Sequence, residues 1–176
     1  MNRPVKGLLS IATFALLLTS VQAQNTKSAD RMGSADNSFV TKAAAGGMAE
    51  VELGKLAASQ GSSEKVKQFG QKMVDDHSKA NEELKEIAAK KNITLPTGLD
   101  AKAQATRDRL TKLSGAQFDH AYMQDMLKDH KADVAEFRKE STSGQDAEVK
   151  AFAAKTLPTL EEHLKMAEDV AIAVKK

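Results

Sequence analysis

The chain has 176 residues, no cysteine, no tryptophan and a formal net charge of +2. Two of its 26 basic residues, Arg3 and Lys6, sit beside an apolar run, so the remainder carries 24 bases against 24 acids. A neutral chain with one tyrosine lacks the basic field and stacking rings of nucleic-acid binders, which excludes that partner class.

The first element is an export signal. Arg3 and Lys6 open it, and Gly7 to Leu18 is apolar but too short to span a bilayer as a stable helix. Val21-Gln22-Ala23 ends it in a small-x-Ala pattern, which places cleavage after Ala23 and the product in the periplasm. Residues 1–23 are therefore read as a signal peptide, 24–37 as a disordered lead-in and 38–174 as one helical domain, with no transmembrane helix once the leader is gone. A domain of this length buries enough surface for a core without disulfides.

The composition is rich in Ala, Lys, Glu and Leu, and no run alternates as a strand would, so the fold class is all-α. Ser38 is expected to cap a first helix from Phe39 to about Ser59, with Val40, Ala44, Met48, Val51 and Ala58 as its apolar stripe. Glu50 lies on the flank of that stripe, beside small residues, and is a candidate ligand or a boundary carboxylate reaching solvent. Gln60-Gly61-Ser62 makes a tight turn, and Ser62 or Ser63 caps a second helix running to about Lys91. Its heptad places Val66, Met73, Ala80 and Ile87 at one seam position and Gly70, His77 and Leu84 at the other, so His77 stands where Leu is expected.

Pro96 and Gly98 end that helix, and Asp100 caps a short one from Ala101 to Leu113. This is the long connection of a four-helix bundle whose middle helices are not joined by a tight hairpin. Ser114-Gly115-Ala116-Gln117 reads as a capping box for the third long helix, whose seam is Met123, Met126, Leu127, His130, Val134 and Phe137. Asp119 shares that side but lies ~16 Å along the axis from His130, too far to share one metal. A last helix runs from about Asp146 to Val174, with Val149, Thr156, His163 and Val170 spaced by sevens and Pro158 expected to kink it and aim His163 inward.

Two strings repeat. Gln71-Lys72-Met73-Val74-Asp75-Asp76-His77 returns as Gln124-Asp125-Met126-Leu127-Lys128-Asp129-His130, with a Met one helical turn before each His. Val66-Lys67-Gln68-Phe69 returns as Val149-Lys150-Ala151-Phe152, which suggests that the two helical hairpins are related halves.

Three histidines on the seams of three helices are the main chemical signal. Each ring buried without a partner costs roughly 1–3 kcal/mol, a burden a purely structural core rarely carries, and neutral imidazole is the commonest protein metal ligand. Glu50, His77, His130 and His163 are the candidate metal ligands, with Asp76, Asp119, Met73 and Met126 behind them. A di-iron carboxylate site needs Glu-x-x-His on two helices, and the residues three before these histidines are Val74, Leu127 and Leu160. Imidazole with thioether suits copper(I) better than iron, although Met at helical spacing is more often core filler. Copper, zinc and iron are the candidate metals. Counted from the two hairpin bends, Glu50 and His130 lie level while His77 and His163 lie ~6–10 Å deeper, which predicts two half-sites or an elongated polar core. The alternative is a non-catalytic envelope protein whose histidines bond helices together or sense acid. No nucleophile with a base at helical spacing and no phosphate loop names a reaction.

Phe39 with Glu50, Met73-Val74-Asp75-Asp76-His77, Phe118-Asp119 with Tyr122 and His130, and Leu157-Pro158 with Leu160 and His163 together resemble a bacterial exported family. That family is catalogued as domain of unknown function 4142 and described as ferritin-like. The resemblance spans about Asn37 to Ala171 and implies a periplasmic ferritin-like four-helix bundle of unassigned activity, connected with stress. It marks Glu50, His77, Asp119, His130 and His163 as positions to test, while the missing Glu-x-x-His pairs speak against ferritin or oxidase chemistry.

Overall fold

The computed structural model describes residues 33–175 together with Met1; the proposed leader, its cleavage point and the lead-in through Met32 lie outside them. Five helices follow one another: α1 (Ser34–Gln60), α2 (Glu64–Lys90), the short α3 (Ala101–Leu110), α4 (Gly115–Ser143) and α5 (Ala147–Ala173). The class is all-α, with four long helices packed pairwise and α3 in the connection between α2 and α4. No described helix is long and apolar enough to cross a membrane.

Two hairpins, α1–α2 and α4–α5, are the packing units. Within the first, the helices meet at Gly54 and Gly70, where a Cβ on either would stand 2.7 Å from the other's carbonyl oxygen. A methyl there would force the backbones apart, which is why these two positions need glycine despite its helix penalty.

The hairpins are tied head to tail by two aspartates that sit 83 positions apart. Asp119, at the start of α4, accepts from Ser62 N (2.9 Å), Ser62 Oγ (2.6 Å) and Ser63 N (2.7 Å) in the α1–α2 bend. Asp36, at the start of α1, accepts from Gln145 N (3.1 Å) and Asp146 N (2.6 Å) in the α4–α5 bend. Gly61 and Gly144, Val66 and Val149, and Phe69 and Phe152 are offset by the same 83 positions. The repeated Val-Lys-x-Phe string therefore marks a correspondence that runs through both hairpins. The two bends lie at opposite ends of the bundle: α1 and α5 run one way, α2 and α4 the other, and the connection carrying α3 travels its length. Lys91 at the end of α2 pairs with Asp146 at the start of α5 at 2.7 Å, as this arrangement requires.

These contacts explain where helix ends depart from expectation. α1 starts at Ser34 rather than Phe39, because Asp36 is held by the opposite bend and stabilises an extra turn. Neither Ser63 nor Ser114 makes a side-chain cap; Asp119 serves α2 instead, and the expected Ser114–Gln117 box does not form. Asp100 and Asp146 do cap α3 and α5, through Ala103 N and through Glu148 N and Val149 N. α3 stops at Leu110, three residues early.

The buried face of α1 is also rotated from the expected stripe. Phe39, Val40, Ala44, Gly47, Glu50, Leu53 and Ala57 point inward, while Met48 and Val51 are half-buried beside Leu95, Pro96 and Leu99 of the connection. An Ala- and Gly-rich helix has little contrast between faces, and here two partners compete for it. α5 continues unbroken through Pro158, and His163 is buried as expected.

Candidate metal centre

The core divides into two apolar clusters. One holds Leu53, Phe69, Met73, Tyr122, Met126 and Ala167, the other Val40, Ala44, Leu84, Val134, Phe137 and Leu160. Each long helix changes cluster at one polar residue, namely Glu50 on α1, His77 on α2, His130 on α4 and His163 on α5. All four are buried: 3%, 8%, 0% and 1% exposed. They form a single polar layer across the bundle.

The predicted axial offset is absent. Ring centroids lie 5.8 Å apart for His77–His130 and 5.4 Å for both His77–His163 and His130–His163. An offset follows only where both bends share one end, and here they lie at opposite ends. From the end holding the first bend, Glu50 is eleven residues from Gly61, His77 fifteen from Ser62, His130 fifteen from Gly115, and His163 ten from Ala173. Side chains lean toward their own helix N-terminus, so the deeper pair on α2 and α4 leans up and the shallower pair leans down. The residual ~7 Å closes.

One ligand atom from each of His77, His130 and His163 lies within 4.8 Å of the other two, and no carboxylate among the described residues joins that group. The second nitrogens say which atoms are available. His130 Nδ1 stands 3.0 Å from the Met126 carbonyl and donates to it, leaving Nε2 with its lone pair and no partner. His163 Nε2 stands 2.9 Å from Asp76 Oδ2 and donates to it, leaving Nδ1 unpartnered. His77 Nε2 is likewise buried without a partner. A carbonyl or carboxylate holding the outer N–H fixes the tautomer and orients the ring, an arrangement metal-binding histidines share.

Electrostatics keep the rings in the ligating state. Burial, reinforced by the other two imidazoles, pushes the His77 pKa down to about 3. Burial and then His163 lower His130 to about 4, and burial lowers His163 against the pull of Asp76. Burial works to raise Asp76, but hydrogen bonds from His163 and Lys72 outweigh it and hold the carboxyl below its ordinary range. Asp76 thus presents a charge to the outer face of one ring, and Lys72 steadies it at 3.1 Å.

The other candidates take different places. Glu50 Oε1 lies 3.8 Å from His130 Nδ1, the nitrogen facing Met126, and its Oε2 is buried and unpartnered. Burial, followed by the charges of Asp133, Asp129 and Asp125, raises its pKa well above the carboxylate range. Glu50 is therefore no solvent-reaching boundary residue. Asp119 belongs to the α2 cap, and Met73 and Met126 are fully buried in the first apolar cluster. The residues that pattern reading did not assign are the partner of His163 and the acid Asp133, whose pKa burial and then Asp129 raise to about 7. Asp76 was visible only as the neighbour of His77; its bond is to a ring 87 positions away.

An all-α bundle with a buried three-imidazole layer is the class these observations define. The chain belongs to the family described as domain of unknown function (DUF4142), which matches residues 21–170. A solved structure titled as a DUF305 fragment from Deinococcus radiodurans is similar in fold, with a TM-score of 0.70 over 80% of this chain and 97% of that one at 12% identity. No curated protein matches the chain.

Proposed function

We propose that this is an exported periplasmic bundle of ferritin-like topology that binds one transition-metal ion through His77, His130 and His163 and serves in metal-stress protection. The observation that carries the reading is three buried rings, one per helix, each keeping an unpartnered nitrogen and each offering a ligand atom within 4.8 Å of the others. Leaving three buried polar atoms unpaired costs roughly 1–3 kcal/mol each, and a bound cation removes that cost. Three neutral nitrogens without a carboxylate suit copper or zinc rather than a carboxylate-bridged iron pair. Glu50 stands behind His130, and Asp76, held ionised by its hydrogen bonds, stands behind His163. The apolar clusters on both sides hold the rings rigid, and the leader pattern supports the periplasmic location.

The test is unfolding of chelator-stripped protein with added Cu²⁺ or Zn²⁺. Free metal at 100 times its Kd stabilises the native state by ~2.7 kcal/mol and raises the melting temperature. A His77→Ala/His130→Ala variant loses that response. No shift with either metal contradicts the proposal.

A further inference from the structure

The polar layer reaches the surface on the side where α2 faces α5. A groove of about 260 Å³ there is lined by His77, His163, Asp76, Thr156, Thr159 and Leu160, with Lys79, Glu83 and Lys155 at its rim. His77, 8% exposed, and His163, 1% exposed, both line that groove, and His130 is fully buried behind them. On the opposite side Glu50 approaches the Nδ1 edge of His130 and not its free Nε2. Asp76 is occupied with the outer nitrogen of His163. Among the described residues, the group therefore has three imidazole donors and no carboxylate as a fourth.

Metal sites built only to hold a fold are closed by four protein ligands, while sites that exchange ligands keep a position open. We infer that the groove between α2 and α5 is a binding subsite for a small monodentate anion that completes the coordination of an ion held by His77, His130 and His163. This rests on the metal reading above. The charge balance favours an anion: a divalent ion among three neutral imidazoles retains its positive charge, with the Asp76 carboxylate behind one ring and the groove's other carboxylate, Glu83, already paired to Lys155. Lys155 leans over the rim, paired to Glu83 across the groove at 2.7 Å, and Lys79 stands nearby. The groove's size admits a few heavy atoms and excludes a polymer. The step is a ligand exchange, in which the anion's lone pair takes the position of a metal-bound water that leaves intact, with no change of oxidation state.

Azide is the probe. Full-length protein loaded with Cu²⁺, its copper content fixed by elemental analysis, is titrated with azide and followed by absorption. The expected result is a ligand-to-metal charge-transfer band that saturates at one azide per copper. Thr156→Leu, which fills the groove with apolar bulk, weakens azide binding at least tenfold, measured on the copper-loaded variant. A copper-loaded protein whose spectrum ignores azide overturns this inference and leaves metal binding standing. Equal azide affinity in Thr156→Leu also overturns it, by placing the anion elsewhere. A protein that takes up no copper overturns both.

Discussion

His77 occupies a seam position where the heptad of α2 expects leucine, so His77→Leu separates what the ring contributes to binding from what it costs the fold. In metal-free protein His77 Nε2 is buried without a hydrogen bond. Removing that atom relieves roughly 1–3 kcal/mol, and leucine suits the seam between Met73 and Leu84. A second contribution depends on pH. The unfolded imidazole takes up a proton below ~6.5, whereas the folded ring at about 3 does not. Native stability from this group is complete above pH 6.5 and is lost as pH falls toward 3. At pH 5 the loss amounts to about 2 kcal/mol. Metal-free His77→Leu is therefore more stable than the wild type by about 1–3 kcal/mol at pH 7.5, and the gap widens by about 2 kcal/mol at pH 5. Urea unfolding followed by circular dichroism reads both numbers. Comparing two proteins at each pH matters, because Asp133 and Glu50 have raised pKa values and gain stability on acidification, which opposes the histidines in either protein alone. A variant less stable than wild type at pH 7.5, with a gap that stays constant to pH 5, would refute the claim of a strained, unpaired, neutral ring.

Asp133→Asn stabilises the protein at pH 8, where the wild type holds a partly buried charge. A shift from 3.8 to about 7 corresponds to at most ~4 kcal/mol, less where solvent reaches the carboxyl, and the gain vanishes by pH 4. The same unfolding assay across pH checks it. Asp76→Asn keeps the helices but loosens the orientation of His163, so affinity for Zn²⁺ falls 10- to 100-fold by titration calorimetry while melting of the metal-free protein changes little by comparison. Asp119→Ala strips three hydrogen bonds from the α1–α2 bend and lowers stability by about 2–4 kcal/mol in thermal unfolding, and Asp36→Ala acts likewise at the other end.

Periodicity made the four long helices legible, and it made His77, His130 and His163 legible as seam residues, because a heptad interrupted by a ring is a local pattern. What it could not carry was direction. Whether two bends lie at one end of the bundle or at opposite ends is settled by the connection around α3 and by the Asp36 and Asp119 contacts. That single fact converts an expected ~6–10 Å offset into one layer. The Asp76–His163 bond and the Asp119 cap join positions 87 and 56 or 57 residues apart, and no spacing rule links them. Glu50 was readable as a flank residue on α1; its complete burial depends on a face of α1 that Gly47 and Gly54 leave small enough for neighbours to close over.

X-ray absorption at the metal edge of copper- or zinc-loaded protein addresses the three rings most directly. The account predicts one ion per chain surrounded by three imidazole nitrogens at ~2.0 Å, with their outer-ring scattering, and one lighter donor besides. An ion bound by oxygen alone, or a spectrum unaffected by replacing His77 and His130, would contradict it.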